Sequence, residues 1–402
     1  MPLNISKRGS DMPSSPIRKL VPYADAAKAR GIKVFHLNIG QPDIETPRIL
    51  LDAVANNATH IKVLDYSHSA GNLSMRQAQV AYYKNLGITI DTNDIVTTTG
   101  GSEAILFAMM SLLDVGDEVI IPEPFYANYN GFCHTAGATI LPVRSYIENN
   151  FALPPIAEIE KAITSKTKAI IICNPNNPTG YLYTKSELNQ LKEIVKKHDL
   201  YLFADEAYKE FCYDGAEFIS TLQLEGIEEN VVMFDTISKR YSACGARIGS
   251  LVSKNKKIIS TVMKFAQARL SPPSFGQVLA EAAIGLPTDY FEAIKGEYLS
   301  RRDLLVKELN EIEGVFCPNP GGAFYAIARL PIDDADAFCQ WLLESFSYNQ
   351  QTVMCAPATG FYATKGAGKQ EVRLAYVINK TDLAAALICL KIALQQYPGK
   401  TN

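Results

Sequence analysis

The chain contains 402 residues, of which 47% are hydrophobic and 20% are charged, and its formal net charge at pH 7 is −3. These values are ordinary for a globular protein with a substantial core, and the length is sufficient for two domains. They exclude the strong positive field that binds nucleic acids or anionic membranes. No apolar stretch approaches the length of a membrane span, so we expect no membrane partner.

The eight cysteines are scattered and show neither a CxxC pair nor a zinc-binding spacing. Several lie inside apolar runs, as Cys173 and Cys389 do. That pattern is typical of reduced cysteines packed as small hydrophobic residues, and it predicts no metal site. The first residues lack the apolar core of a signal peptide, so we expect a cytoplasmic protein.

The chain opens with a polar, proline-containing arm that extends to about residue 35 and includes a short helix over 22–29. A strand is predicted over 34–39. Beyond it, short β-branched runs alternate with stretches of helical spacing. The predicted strands are 95–99, 118–121, 139–143, 169–173, 201–204, 231–234 and 250–252, and the predicted helices include 103–113, 186–198 and 256–268. This alternation predicts a mostly parallel seven-stranded sheet covered by helices.

A long helix predicted over 290–309 follows Pro287 and leads into a region of helices and shorter strands. Those strands are predicted over 322–328, 351–355 and 372–376. The predicted organisation is therefore an N-terminal arm with part of the small domain (1–45), a large α/β domain (46–288) and a smaller α+β domain (289–402).

The segment 235–249 carries the clearest functional signal. It follows an apolar strand and places Lys239 among hydroxyl groups, glycines and Arg247. A lysine near the end of a buried strand is costly unless its amine is paired or condensed with a carbonyl group. The hydroxyls of Thr236 and Ser238 suit a phosphate dianion. The segment therefore favours pyridoxal phosphate bound to Lys239, with a solvated surface lysine as the alternative.

Other unusual residues also follow predicted strands, and ligands bind at the carboxyl ends of strands in open parallel sheets. They are the glycine pair and helix start at 100–103, the aromatic Tyr126, the asparagine-rich loop 174–180, and Asp205. Taken singly, each has an ordinary alternative: a plain turn, a core aromatic residue, an Asx-turn or a structural ion pair. Their shared location indicates one ligand-binding edge.

These motifs occur in an order that resembles the class I/II aminotransferases, which belong to the fold-type I pyridoxal-phosphate superfamily. The resemblance covers roughly residues 35–390. It rests on Tyr66 to Gly71, Gly100-Gly-Ser, Asn177-Pro-Thr-Gly180, Asp205-Glu-Ala-Tyr208, Ser238-Lys239, Gly245-Ala-Arg247-Ile-Gly249 and Val372-Arg373-Leu-Ala.

The resemblance implies a set of cofactor contacts. Lys239 would hold the cofactor as a Schiff base and would carry a proton between the substrate Cα and the cofactor C4′. Asp205 would pair with the pyridine nitrogen, and Asn177 and Tyr208 would hydrogen-bond the phenolic oxygen. Tyr126 would stack on the ring, with Phe125 as an alternative. The phosphate would be held by Gly101, Ser102, Thr236, Ser238 and Arg247.

The resemblance also implies substrate contacts and a homodimer with shared active sites. Arg373 would grip the substrate α-carboxylate with two hydrogen bonds, whereas the residue without the resemblance favours a structural ion pair on a strand. Gly40 would approach that carboxylate through its backbone. Tyr66 would reach the phosphate in the neighbouring subunit. Arg269, close to where relatives present a second carboxylate-binding group, would receive the distal carboxylate of aspartate or glutamate, or else be an exposed helix-end arginine.

The implied activity is transfer of an amino group from an L-amino acid to a 2-oxo acid, such as 2-oxoglutarate, in two half-reactions. Two departures from the family pattern concern substrate preference: Ala246 stands where many relatives have tryptophan, and Arg240 follows the lysine in place of threonine or asparagine. A pyridoxal-phosphate-dependent carbon–sulfur lyase would use almost the same residues. A non-catalytic ligand sensor is the second alternative, but no helix-turn-helix module is visible.

Overall fold

The computed structural model describes residues 3–401. Met1, Pro2 and Asn402, which form the outer ends of the predicted domains, lie outside the described residues. The α-helices are α1 (Lys7–Ser10), α2 (Val21–Ala29), α3 (Arg48–His60), α4 (Leu73–Asn85), α5 (Gly101–Leu112), α6 (Tyr129–Ala136), α7 (Ile156–Ala162), α8 (Lys185–His198), α9 (Lys256–Arg269), α10 (Ser274–Ile284), α11 (Thr288–Asn310), α12 (Ala335–Glu344) and α13 (Lys380–Gln396).

The strands belong to one large sheet and two small ones. They are β1 (Lys33–His36), β2 (Ile95–Thr98), β3 (Glu118–Glu123), β4 (Thr139–Arg144), β5 (Thr167–Cys173), β6 (Tyr201–Asp205), β7 (Val231–Thr236), β8 (Gly249–Val252), β9 (Tyr325–Arg329), β10 (Gln351–Met354), β11 (Ala356–Pro357) and β12 (Glu371–Ala375).

The large sheet has seven strands in the order β2-β8-β7-β6-β5-β3-β4. Strand β8 runs antiparallel to β2 and β7, and the remaining neighbours are parallel. The predicted fold class, an α/β protein with a mostly parallel seven-stranded sheet, is confirmed. Because β5 to β7 are parallel and adjacent, their carboxyl ends meet at one edge.

Both faces of this sheet are covered, which explains why its strands are continuous apolar runs. Side chains alternate between the faces along a strand. Ile170 and Ile172 therefore pack with Leu188 and Leu191 of α8, whereas Ile171 packs in a separate cluster on the other face. That second cluster includes residues of α5 and α9. Helix α8 begins with a capping box formed by Thr184 and Glu187.

The two smaller sheets are formed by strands from the N-terminal and C-terminal parts of the chain. Strand β1 pairs in parallel with β10, and β11, β12 and β9 form an antiparallel sheet. Their core includes Phe338 and Leu390 and also takes in Leu20 and Phe35 from the N-terminal region. Residues before position 45 thus pack against the C-terminal part of the chain.

Two predicted strands differ from the structure by three residues at one end, whereas the ends of the other strands differ by at most two residues. The strand expected from Gly322 begins at Tyr325, because the Gly322 N–H donates to the Gly180 carbonyl (2.8 Å) instead of entering a ladder. The strand expected over 34–39 ends at His36. Beyond it the chain leaves the sheet and brings Gly40 to a cavity. No helix within residues 3–401 is both long and apolar enough to traverse a bilayer.

Candidate active site

A cavity of about 550 Å³ lies at the carboxyl edge of the large sheet. Residues from the N-terminal arm, the large sheet and the small antiparallel sheet contribute to its walls. Twelve of the residues named from the sequence line it: Gly40, Gly101, Ser102, Tyr126, Asn177, Asp205, Tyr208, Thr236, Ser238, Lys239, Arg247 and Arg373. The structure therefore brings together residues that are up to 333 positions apart in the sequence (373 minus 40).

Lys239 follows β7 and points its amine into this cavity. The Nζ donates a hydrogen bond to the Gly40 carbonyl at 2.8 Å. Burial lowers the pKa of the Lys239 amine, and the nearby cations of Arg373 and Arg247 lower it further. A lowered pKa favours the neutral amine, which is the form that attacks a carbonyl carbon. A Cβ at position 40 would overlap the Tyr325 hydroxyl, so any other residue there would displace the Tyr325 side chain.

Asp205 is the last residue of β6, and its carboxylate is buried at the base of the cavity. The Tyr129 hydroxyl donates to one carboxylate oxygen (3.1 Å), and the Ala207 N–H donates to the other (3.2 Å). Burial raises the pKa of Asp205 to about 6, with these hydrogen bonds opposing the shift. A cationic ligand group placed against this carboxylate would remove the desolvation cost.

The start of α5 forms one side of an anion-binding corner. Its N-terminal residues are Gly101 and Ser102, and Gly100 before them offers no side chain to cap the exposed N–H groups. Gly100 has φ 78°, and a Cβ there would overlap the Arg247 guanidinium. Glycine is therefore required both for the backbone conformation and for the approach of the arginine.

The other side of this corner carries hydroxyl groups and a cation. The hydroxyls of Thr236 and Ser238 lie 2.8 Å apart and hydrogen-bond each other. Arg247 donates to the Cys244 carbonyl (3.0 Å) and remains exposed. Helix N–H groups, two hydroxyls and a guanidinium together suit a phosphate.

Arg373 of β12 is fully buried on the opposite wall. Its Nη1 donates to Asn177 Oδ1 (3.2 Å), and its Nη2 donates to the Asn38 carbonyl. The guanidinium lies 4.7 Å from the Tyr325 ring centroid and 4.8 Å from that of Phe361. Burial lowers the pKa of Arg373. These hydrogen-bond partners are uncharged, so the guanidinium is available to a ligand carboxylate.

Hydrogen bonds connect this arginine to the ring-binding side of the cavity. Asn177 Nδ2 donates to the Tyr208 hydroxyl (3.4 Å), which shares a hydrogen bond with the Tyr325 hydroxyl (2.9 Å). Burial raises the pKa of Tyr208 well above its ordinary value, so the hydroxyl is neutral and able to donate.

From the sequence, either Tyr126 or Phe125 could stack on a ligand ring, and the structure distinguishes the two. Tyr126 lines the cavity, packs edge-to-face on Tyr129 (5.5 Å, 85°) and accepts a hydrogen bond from Asn128 (2.7 Å). Phe125 is buried and lies 6.3 Å from Tyr129, outside the cavity wall. Tyr126 is therefore the aromatic side chain that a ligand meets.

Arg269 is not brought to the cavity. Its Nη1 forms an ion pair with Glu103 Oε2 (2.7 Å), and its Nη2 donates to the Ser69 carbonyl (2.9 Å). The expectation that Arg269 receives a substrate carboxylate is thus not supported within one subunit, because Glu103 already neutralises the guanidinium. Tyr66 also lies outside the cavity wall, and its side chain is 79% exposed.

Sequence reasoning missed three residues that the structure places at the site. Tyr325 hydrogen-bonds Tyr208 and covers Arg373, and the glycine pair shortly before it was an available signal. Tyr129 orients Asp205 from the first turn of α6. Arg18 lines the cavity from the N-terminal arm, where no local pattern indicated a functional residue.

Comparisons with known proteins identify the family of the chain. The model of the family "Aminotransferase class I and II" matches residues 32–387. The aspartate aminotransferase of Bacillus subtilis is 30% identical, covering 98% of this chain and 100% of that protein. The alanine aminotransferase of Mycobacterium tuberculosis is 33% identical over 93% of this chain and 89% of its own length. The structure of Thermotoga maritima aspartate aminotransferase has a TM-score of 0.89, with 28% identity, 98% of this chain covered and 100% of that chain.

Fold, site and sequence together define a pyridoxal-phosphate-dependent transferase. The chain belongs to the class I and II aminotransferase family. It is accordingly an aminotransferase that acts on amino acids and 2-oxo acids, with pyridoxal 5′-phosphate as its cofactor.

The described residues fit this cofactor. Asp205 is buried, and its raised pKa reflects a need for a cation such as a protonated pyridine nitrogen. The uncapped start of α5 and Arg247 suit the phosphate. Lys239 offers an amine of lowered pKa in the same cavity.

Proposed function

We propose that the enzyme transfers the amino group of aspartate, or of another L-amino acid, to a 2-oxo acid such as 2-oxoglutarate. The observation that carries this proposal is the convergence of Lys239, Asp205 and Arg373 on one cavity. Relatives named aspartate and alanine aminotransferase support a small or acidic substrate.

Lys239 would take the proton from the substrate Cα and deliver it to C4′ of the cofactor. The bound cofactor supplies an electron-withdrawing ring that stabilises negative charge at that carbon. The lowered pKa of Lys239 supports its role as a base. The carbonyl of Gly40, 2.8 Å from the amine, holds the side chain at the cavity.

The remaining floor residues bind and orient the cofactor. Asp205 would keep the pyridine nitrogen protonated, with Tyr129 holding the carboxylate in place. Asn177 and Tyr208 would donate hydrogen bonds to the phenolic oxygen. Tyr126 would stack on the ring, and the phosphate would be held by Gly101, Ser102, Thr236, Ser238 and Arg247.

Arg373 binds the substrate α-carboxylate with two parallel hydrogen bonds. Its burial, its neutral partners and the nearby rings of Tyr325 and Phe361 support this role. A guanidinium fixed in this way holds the Cα–H bond in one orientation, which lowers the entropic part of the barrier.

We further propose that the enzyme is a cytoplasmic homodimer in amino acid biosynthesis, with Tyr66 reaching the phosphate of the neighbouring subunit. The exposure of Tyr66 supports that assignment. The proposed domains are 1–45, 46–288 and 289–402 as predicted from the sequence. The pairing of β1 with β10 supports the inclusion of the first segment in the small domain.

Borohydride reduction followed by peptide mass mapping tests the proposal. We expect the cofactor mass on the peptide containing Lys239, and no adduct in a Lys239→Ala variant. An unmodified Lys239 peptide in protein purified with pyridoxal phosphate would contradict the assignment.

A substrate assay then separates transfer from elimination. We expect product formation from aspartate to require a 2-oxo acid acceptor. Release of pyruvate and ammonia from cysteine without any acceptor would instead identify a carbon–sulfur lyase.

A further inference from the structure

We propose that Tyr325 is a positioning residue for the cofactor: its hydroxyl donates to the Tyr208 oxygen, which leaves the Tyr208 proton for the phenolic oxygen of pyridoxal phosphate. This inference rests on the proposed function, which gives Tyr208 that contact. It begins from two hydroxyl groups in the cavity wall that lie 2.9 Å apart, each of which carries one proton. The sequence motifs indicated Tyr208 but not Tyr325.

The Tyr208 oxygen accepts one hydrogen bond whose direction the structure fixes. Arg373 Nη1 donates to Asn177 Oδ1 (3.2 Å), and a guanidinium group can only donate. The Asn177 oxygen therefore faces Arg373, and its Nδ2 faces Tyr208 and donates to the hydroxyl oxygen (3.4 Å). A hydroxyl oxygen can accept two hydrogen bonds, so one acceptor position on Tyr208 remains for a second donor.

The Tyr325 hydroxyl needs an acceptor for its proton. The side chain is 2% exposed, and Tyr208 is the one hydrogen-bond partner that residues 3–401 offer to this hydroxyl. Burial raises the pKa of both phenols, so each keeps its proton. If Tyr208 donated to Tyr325, the Tyr325 proton would be left without an acceptor in a buried site, which is costly. Tyr325 is therefore the donor, and the Tyr208 proton is left for a ligand.

Packing fixes the Tyr325 side chain in this position. The residue begins β9, where it pairs with Ala375 of β12. Its ring packs edge-to-face on Tyr208 (5.4 Å, 84°) and lies 4.7 Å from the Arg373 guanidinium. A Cβ on Gly40 would lie 1.7 Å from the Tyr325 hydroxyl oxygen, so the Gly40 backbone closes the space on that side. Because these neighbours surround the ring, its hydroxyl stays against Tyr208.

The direction of this hydrogen bond decides how strongly Tyr208 acts on the cofactor. A hydroxyl that accepts hydrogen bonds becomes a stronger donor, because the members of a hydrogen-bonded chain polarise one another. A donor at the phenolic oxygen stabilises the negative charge there, and it therefore lowers the pKa of the cofactor bound to Lys239. Loss of the Tyr325 hydroxyl should raise that pKa again, and the effect should pass through Tyr208.

The test is a spectrophotometric pH titration of the holoenzyme without amino acids, since the absorbance of the bound cofactor reports its protonation. Tyr325→Phe keeps the ring with its contacts to Arg373 and Tyr208 and removes only the hydroxyl. We expect this variant to raise the spectroscopic pKa of the cofactor by about 0.5 or more. The matched control is Tyr397→Phe, which removes the hydroxyl of a buried tyrosine bonded to Asp333 (3.1 Å) outside the cavity and should match the wild type.

A double-mutant cycle identifies the route of the effect. Tyr208→Phe should raise the spectroscopic pKa further than Tyr325→Phe does, because it removes the donor itself. On that background, adding Tyr325→Phe should change the pKa by less than about 0.2. An unchanged or lowered pKa in Tyr325→Phe, or an equal rise with and without the Tyr208 hydroxyl, would overturn the inference.

The two proposals fail in distinguishable ways. If the wild type transfers amino groups but has the same spectroscopic pKa as Tyr325→Phe, the role of Tyr325 is wrong and the proposed function stands. If Tyr325→Phe raises the pKa only when the Tyr208 hydroxyl is present, but the wild type transfers no amino group, the positioning role stands and the proposed function is wrong.

Discussion

Charged side chains behind the cavity are buried and paired, whereas those on the segment of the N-terminal arm that borders the cavity (residues 15–19, the mouth) are exposed. Asp235 at the end of β7 lies 2.7 Å from Arg240 and 2.5 Å from Lys209, and all three side chains are 1–2% exposed. At the mouth, the ion pair of Lys19 with Asp336 leaves these side chains 43% and 32% exposed.

The buried ion pair between Arg240 and Asp235 joins the two ends of the short segment that carries Lys239. Arg240 follows Lys239 directly and donates to Asp235 and to the Thr236 carbonyl (3.0 Å). Burial pushes the pKa of Asp235 up, but Arg240 and Lys209 outweigh this and hold the pKa below its usual range. The position of the lysine is thus tied to stability, whereas residues at the mouth can change at little cost to the fold.

The largest loss of stability is expected when the buried network of Asp235, Arg240 and Lys209 is broken. Arg240→Leu leaves Asp235 with Lys209 as its single cationic partner in a buried site. We expect the free energy of unfolding in urea to fall by about 3–5 kcal/mol. A double variant that also carries Asp235→Asn should recover part of this loss. A change below about 1 kcal/mol would remove the proposed distinction between the two regions.

The next largest effect concerns the substrate-binding arginine. Arg373→Lys keeps the charge but loses the two-pronged hydrogen-bonding geometry of the guanidinium and its contacts with the rings of Tyr325 and Phe361. We expect kcat/KM to fall about 100-fold, or about 2.7 kcal/mol, chiefly through a higher KM. Arg48→Lys, an exposed exchange on α3, serves as the control. Equal kinetics for both variants would contradict the carboxylate assignment.

A pH-dependent effect is expected from Asp205 in the apoprotein. Its folded-state pKa, about 6, exceeds the ordinary value of 3.8, so the folded form binds the proton more tightly than the unfolded chain. This stabilisation is complete below about pH 4 and is lost as the pH rises through about 6. Relative to Asp205→Asn, the free energy of unfolding of the wild type should fall by about 2–3 kcal/mol as the pH rises from below about 4 to above about 6.

Asp214 provides a control, because its contribution to stability should change with pH in the opposite direction. A hydrogen bond from Arg302 lowers the pKa of this exposed carboxyl group. Its contribution to stability is therefore present above pH 4 and is lost on acidification. Urea titrations of both variants at several pH values give the effect of each substitution on the free energy of unfolding. If the effects of Asp205→Asn and Asp214→Asn change in the same direction with pH, burial does not raise the pKa of Asp205.

The smallest loss of stability is expected for a substitution at the mouth. Lys19→Ala removes the exposed ion pair with Asp336, and we expect unfolding free energy to fall by less than about 1 kcal/mol. The kcat/KM for alanine should stay the same. A loss above about 2 kcal/mol would mean that the arm is held as firmly as the buried network.

Local sequence signals predicted much of the fold and of the cavity. Apolar runs and helical spacing predicted the seven strands of the large sheet, because strand burial and amphipathicity repeat within a few residues. Lys239 and Asp205 were singled out because each lies at the end of a strand of the large sheet, and the carboxyl ends of parallel strands share one edge. Arg373, on an antiparallel strand of the small sheet, was singled out only through the family resemblance.

The sequence by itself determined the class of chemistry, since that depends on residue types at strand ends. Only the tertiary structure decided which cations remain unpaired. Arg269 is neutralised by Glu103, 166 positions earlier in the chain, while Arg18 reaches the cavity from an arm without any motif. Ion pairing depends on neighbours that are distant in sequence, and no local pattern encodes it.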